Sequence, residues 1–270
     1  MVPTGIHGHA ASVDGRTRWC NPNGENLEMQ QKIALITGAN KGIGLETARQ
    51  LAAQDVHVIV ASRDAARGEA AVSGLKAQDL PVESLALDVA DGASIAQAAA
   101  EIERRHGRLD ILINNAGVVH DAMDQPPSAQ SIDTWRKTFE TNVFGLVAVT
   151  QAMLPLLRKS AAGRIVNVSS RLGSIADQSD PASPHYSFKV PAYNVSKTAV
   201  NGWTVQLAYE LRDTGIKVNA IHPGHVKTDM GGASASMEVS DGARTSVELA
   251  LIADDGPTGG FFHLGDRLPW

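Results

Sequence analysis

The chain has 270 residues, 43% of them hydrophobic, which is enough for one large domain with a sizeable core. Its formal net charge of -5 excludes the basic footprint of a nucleic-acid binder, so cations that matter must be local and serve one anionic ligand. A single cysteine, Cys20, excludes an intrachain disulfide and fits a reducing compartment, the cytoplasm.

Residues 1–31 mix Pro, Gly and Asn with scattered charge and lack an apolar core of the signal-peptide kind. This composition predicts a disordered N-terminal extension, with Met29 a candidate start of the folded protein. His7 and His9 have no partners in the pattern, and no metal is expected. From residue 32 onward, short apolar runs alternate with helical patterns. Strands are expected at 32–37, 56–61, 82–87, 109–113, 164–169, 216–221 and 260–264. Helices are expected at 42–53, 65–78, 93–106, 132–157, 192–212 and 240–253. No uninterrupted apolar run approaches the ~18 residues of a membrane span, so no membrane partner is expected. Near-continuous apolar strands alternating with helices predict an α/β fold, a doubly wound parallel sheet flanked by helices over 32–270. Ligands of such sheets sit beyond the carboxyl ends of the strands.

The first strand-to-helix turn reads T-G-A-N-K-G-I-G. Gly38 suits a tight exit, while Gly42 and Gly44 let the backbone approach a pyrophosphate at the positive end of a helix. Tyr193 and Lys197 stand at i and i+4 on a predicted helix and share a face. An ammonium there favours phenolate and lowers the tyrosine pKa, tuning it to exchange a proton with a developing alkoxide.

With N-N-A-G at 114–117, Y-N-V-S-K at 193–197 and Pro223–Gly224, this glycine spacing resembles the short-chain dehydrogenase/reductase family, over 32–270. N-K-G-I-G and P-G-H-V-K-T-D-M look like its carbonyl-reductase, NADPH-dependent branch. The resemblance implies one Rossmann-like domain and a catalytic set of Asn142, Ser170, Tyr193 and Lys197. In it Ser170 bonds the substrate carbonyl oxygen and Asn142 holds a water near the lysine, often at a helix distortion. Ser169 is the neighbouring alternative, which strand alternation points to the other side of the sheet. The implied cofactor contacts are Gly38, Asn40, Lys41, Gly42, Ile43, Gly44, Arg63, Asp88, Val89, Asn115, Ala116, Gly117, Tyr193, Lys197, Pro223, Gly224, Val226 and Thr228. Asp88 has two readings, a place beside the adenine and a purely local cap or turn.

The cofactor expected is NADPH/NADP+. NAD enzymes usually place an acid at the end of the second strand to bond the ribose 2′-OH. Here Ser62 takes that position and Arg63 follows, suited to a 2′-phosphate, with Lys41 approaching from the other side. Asp64 fits better as a cap of the next helix.

Ser170 and Tyr193 lie further apart than in many family members, and the extra residues at 174–191 are expected to overhang the substrate entrance. Tyr186 inside this insertion has Lys189 only three positions on and is a decoy. His222 and His225 flank Pro223–Gly224 and make no metal site by themselves. The Gly/Ser-rich stretch 230–237 reads as a mobile lid.

The expected activity is hydride transfer from NADPH to a ketone or aldehyde, with a small-molecule carbonyl substrate and Tyr193 as general acid/base. The rivals are an NAD-linked secondary-alcohol dehydrogenase and a non-catalytic NADP(H)-sensing regulator, which has no need of all four catalytic positions. Monomer and homo-oligomer both remain open.

Overall fold

The computed structural model describes residues 10–13, 16–20, 26–27 and 31–270. Two compact units divide between Gln31 and Lys32. In the first, β1 (Ala10–Val13), β2 (Arg16–Cys20) and β3 (Asn26–Leu27) pair antiparallel. This differs from the disorder expected there. The β1–β2 register pairs Val13 with Arg16. Met29, His7 and His9 lie outside the described residues.

The second unit alternates strands and helices: β4 (Ile33–Ile36), α1 (Gly42–Ala52), β5 (His57–Ser62), α2 (Ala65–Lys76), β6 (Val82–Ala86), α3 (Gly92–His106) and β7 (Ile111–Asn114). A helical run follows: α4 (Ile132–Phe139), a π-helical stretch (Glu140–Gly145) and α5 (Leu146–Leu157). Then come β8 (Arg164–Val168), α6 (Ile175–Ser179), α7 (Pro191–Glu210), β9 (Lys217–Ile221), α8 (Val239–Ala250), β10 (Phe261–His263) and β11 (Asp266–Arg267). The sheet order is β11-β10-β9-β8-β7-β4-β5-β6, parallel except for the terminal β10–β11 hairpin. The doubly wound, Rossmann-like α/β fold is therefore present, with β11 added at one edge.

Strand alternation builds the two layers. Leu35, Ile59, Leu112, Ile165 and Val218 face Ile95, Ile102, Val149, Met153 and Leu207 on one side. Ala34, Ile36, Val58, Ile111, Ile113 and Val166 face Ala48, Leu51, Val72, Leu75 and Val247 on the other. Such apolar burial is worth about 1.5–3 kcal/mol per large side chain and holds helices against both faces. Chain order turns around β4, whose neighbours are β5 and β7, and this opens a crevice at the carboxyl ends of β4 and β7.

Among the described residues one helical run, Ile132–Leu157, is long and apolar enough to cross a membrane. This differs from the expectation that no apolar run approaches a membrane span. Here Val149, Met153, Leu156 and Leu157 bury in the domain core, which accounts for the apolarity.

Candidate active site

The glycine turn between β4 and α1 is shaped by contacts that leave no room for side chains. Gly38 has φ +62°, and a Cβ on Gly44 would lie 2.5 Å from Asn115 Nδ2. Asn115 Nδ2 donates to the carbonyls of Thr37 (2.9 Å) and Gly38 (3.2 Å), tying the turn to the N-N-A-G loop after β7. Thr37 Oγ1 accepts the N–H groups of Asn115 and Ala116, each at 3.0 Å. The N-terminus of α1 has no side-chain cap, whereas Asp64, Asp91 and Ser131 cap α2, α3 and α4. Free N–H groups and positive dipole at a close backbone approach fit an anionic pyrophosphate.

The end of β5 fits a 2′-phosphate by its donor set. Ser62 is buried and donates to the Asp64 carbonyl at 2.9 Å. Asp64 accepts from Arg67 N–H at 3.1 Å and pairs with the Arg67 side chain at 3.2 Å, so its carboxylate is engaged as the cap of α2. Arg63 is exposed and, among the described residues, holds no ion pair. Lys41 pairs with Asp229 at 2.5 Å across the mouth of the turn, a partner not foreseen. Asp88 accepts from the Ala90 N–H at 3.0 Å, the local turn role, and Val89 beside it is buried.

Pro223, Gly224, Val226 and Thr228 follow β9 on the same side of the sheet. A Cβ on Gly42 would lie 3.3 Å from Thr228 Cγ2, so the glycine turn and this segment meet. Residues 230–237 were expected to be mobile. They are anchored by a Val226–Met237 bridge, by the Met237 N–H donating to the His225 carbonyl (3.0 Å) and by a Lys227–Glu238 ion pair. His225 Nε2 contacts the Gly231 carbonyl at 2.9 Å, and the His222 ring is tilted at 45° against His263 with centroids 4.9 Å apart, so these two histidines take different partners.

Asn142, Ser170, Tyr193 and Lys197 come together. Asn142 sits in the π-helical stretch, the distortion foreseen for it. Its Oδ1 accepts the Val118 N–H (2.8 Å), and its Nδ2 donates to the Val118 carbonyl (2.9 Å) and to Ser196 Oγ (3.0 Å). Lys197 is 3% exposed and donates to the Val168 carbonyl at 2.8 Å. Its Nζ lies 5.6 Å from the centre of the Tyr193 ring. Asn142 Oδ1 and Lys197 Nζ both stand 3.5 Å from the place a Cβ on Gly117 would take, so they border one space. Ser170 lies two residues beyond β8, where its Oγ accepts the Leu172 N–H at 3.2 Å, and its hydroxyl holds the Tyr193 phenol down against the effect of burial. Ser169 points away, donating to Asn201 Oδ1 at 2.6 Å. Tyr186 is exposed with Lys189 at 4.9 Å over its ring, clear of the catalytic group.

The electrostatics correct one expectation. Burial pushes the Tyr193 phenol up to about 12, the Ser170 hydrogen bond offsetting part of that rise. Burial also lowers Lys197 to about 8. The sequence pattern had the ammonium lowering the tyrosine, but desolvation of both groups outweighs that attraction. That direction favours the neutral phenol at Tyr193.

Two supports were not read from the sequence. Asp121 accepts the backbone N–H groups of Ala192 (2.7 Å) and Tyr193 (3.1 Å). Pro191 opens α7, and Val190 supplies no side-chain cap, so a carboxylate from the loop after β7 caps the helix instead. A buried chain of Asn114, Asn167, Thr150 and Thr204, with links of 2.9 Å, ties β7 and β8 to α5 and α7. The insertion forms α6 and packs by hydrogen bonds from Asn194 and Lys189 to Gln178, on the flank of α7 that carries Asn194, Val195 and Thr198.

Residues 32–239 match the family model described as short chain dehydrogenase, and the chain belongs to that family of oxidoreductases acting on carbonyl/alcohol pairs. It is similar to the short-chain dehydrogenase anuI of Penicillium roqueforti, with 39% identity over 81% of this chain and 88% of that protein. It is also similar to carbonyl reductase 1 (NADPH) of Mus musculus, with 31% identity over 90% of this chain and all of that one. Among solved structures, the NADPH-bound carbonyl reductase from chicken fatty liver superposes with a TM-score of 0.78 at 28% identity, covering 90% of this chain and 100% of that one.

Proposed function

We propose that this chain is an NADP(H)-dependent carbonyl reductase in which Tyr193 is the general acid. The observation that carries the reading is the grouping of Tyr193 with buried Lys197, whose Nζ lies 5.6 Å from the Tyr193 ring centre and borders the same space as Asn142, together with the uncapped N-terminus of α1. When bound, NADPH supplies the hydride. Arg63 grips the 2′-phosphate, and no free carboxylate at the end of β5 opposes it. The turn from Gly38 to Gly44 and the first N–H groups of α1 hold the pyrophosphate. Asn115, Ala116, Gly117, Pro223, Gly224, Val226 and Thr228 line the remaining length.

Ser170 and Tyr193 form a two-donor cradle for the carbonyl oxygen of the substrate. As negative charge develops on that oxygen, both hydrogen bonds strengthen, and Tyr193 Oη gives up its proton. Lys197 stabilises the resulting phenolate, and Asn142, fixed to Val118 and Ser196, borders the space through which the proton is restored. The complete set favours turnover over a cofactor sensor. The similarity to two NADPH carbonyl reductases, and the single Cys20, support the same reading and a place in the cytoplasm. Loss of NADPH absorbance over a panel of ketones, aldehydes and quinones tests it. Turnover with NADPH on some members supports the reading, while binding without turnover on any of them returns the sensor.

A further inference from the structure

At the opposite end of the sheet from the glycine turn, three side chains from three elements converge. His57 opens β5, Glu83 is the second residue of β6, and His106 ends α3. His106 Nε2 lies 2.6 Å from Glu83 Oε1, and His57 Nε2 lies 3.6 Å from the same oxygen. All three ligand atoms fall within 4.8 Å of one another. The two rings tilt together with centroids 5.2 Å apart. The second carboxylate oxygen is held by Arg105 Nη1 at 3.2 Å, which fixes the direction in which Oε1 points.

One feature of this cluster is not explained by hydrogen bonding. One histidine is enough to satisfy Glu83 Oε1, and His106 does so. His57 Nε2 is buried and stands 3.6 Å from Glu83 Oε1, too far for a hydrogen bond, so it faces the carboxylate without bonding it. Two imidazole nitrogens and a carboxylate oxygen gathered within 4.8 Å are a donor set for zinc and its first-row neighbours. Zinc ligands at about 2.0–2.2 Å from a tetrahedral ion stand roughly 3.4 Å apart. The His57–Glu83 separation of 3.6 Å already has that spacing, and the His106 contact needs only to widen.

We propose that His57, Glu83 and His106 bind a divalent transition-metal ion of the zinc class, with water completing the shell. The expectation of no metal, drawn from His7, His9, His222 and His225, did not consider this triad, whose members are far apart in sequence. The ion exchanges for the proton that His106 shares with Glu83 and gives His57 Nε2 its partner. It pins the end of α3 to β5 and β6, away from the reacting groups, so its role is structural.

The test is titration of the full chain with Zn2+ in metal-free buffer, by calorimetry and by thermal melting. Wild type, His57→Ala and His106→Ala are compared, and His7, His9 and Cys20 are present in all three. Wild type is expected to bind one ion that the variants lose or bind at least about tenfold more weakly. Its melting temperature is expected to rise with zinc, and the variants' to stay level. Equal zinc binding by all three, or no binding and no melting shift in wild type, overturns the proposal. If a variant does not fold, Co2+ absorption of wild type against His57→Gln decides. Imidazole-ligated visible bands in wild type, lost in His57→Gln, support the site; bands absent from wild type or unchanged in the variant refute it.

Discussion

The carboxylate of Asp121 accepts the backbone N–H of Tyr193 at 3.1 Å, so the helix that carries Tyr193 is capped by the loop leaving β7. Asp121 also takes the N–H of Ala192 at 2.7 Å. Its carboxylate engages only the backbone of α7 in these bonds, so on the proposed mechanism it acts by positioning Tyr193. Asp121→Ala is expected to cost about 0.5–2 kcal/mol of stability, as lost caps do. It is expected to lower kcat more than it raises KM, because Tyr193 shifts against the cradle. Asp121→Asn keeps an acceptor and should recover most of kcat. A variant that loses stability but keeps kcat would confine Asp121 to a structural role.

Gly44 is the second point of rigidity. A Cβ there would lie 2.5 Å from Asn115 Nδ2 and 2.9 Å from Ala39 Cα. Gly44→Ala should therefore break the Asn115 tether and weaken cofactor binding beyond the loss from one hydrogen bond, about 0.5–1.5 kcal/mol. Fluorescence titration with NADPH checks this. Unchanged affinity would mean that the turn yields and is not a fixed cradle.

Burial sets the pH dependence. Lys197 lies at about 8, pulled down by burial, and Tyr193 at about 12, pushed up by it. As pH rises, Lys197 is the first of the pair to change state, and it loses its charge. Reductase kcat/KM should be level near neutrality and fall above about 8. His222 is held down to about 3, chiefly by burial and then by the charge of His263, so it adds no limb near neutrality. A profile that stays level up to about pH 10, where a free tyrosine ionises, contradicts this assignment.

The features readable from sequence are those with a local signal. Apolar runs and helical periodicity repeat every turn or pleat, so the alternating elements of residues 32–270 were legible, and Gly38, Gly44, Tyr193 and Lys197 sit at fixed offsets within single elements. Ser170 was separable from Ser169 by pleat alone. The rest depends on partners distant in sequence. Asp121 stands 71 positions from Ala192, and Lys41 stands 188 positions from Asp229. Nothing near either residue encodes those pairings. The His57, Glu83 and His106 cluster is invisible for the same reason, because three elements must be assembled before the side chains meet. β11 was missed because two exposed residues carry no alternation to read.

On the proposed reading, cofactor choice rests on Arg63. Combining Ser62→Asp with Arg63→Ala supplies a carboxylate for the ribose and removes the phosphate clamp. A hydrogen bond to a charged group is worth about 1.5–3 kcal/mol, roughly ten- to a hundredfold in affinity. Wild type should prefer NADPH over NADH by at least that factor, and the double variant should erase or reverse the preference. Equal wild-type affinities for the two cofactors would return the NAD-linked dehydrogenase.

The central claim is that Tyr193 delivers the proton, and single-turnover reduction by Tyr193→Phe tests it most directly. The ring and its packing remain and only the hydroxyl is lost. NADPH affinity should be unchanged, while the chemical step slows by roughly 100- to 10,000-fold, the usual contribution of general acid catalysis. Tyr186→Phe, altered at an exposed site, should react as wild type does. A Tyr193→Phe protein that keeps more than about a tenth of the wild-type single-turnover rate, against that expected range, would remove Tyr193 from the role and the proposed mechanism with it.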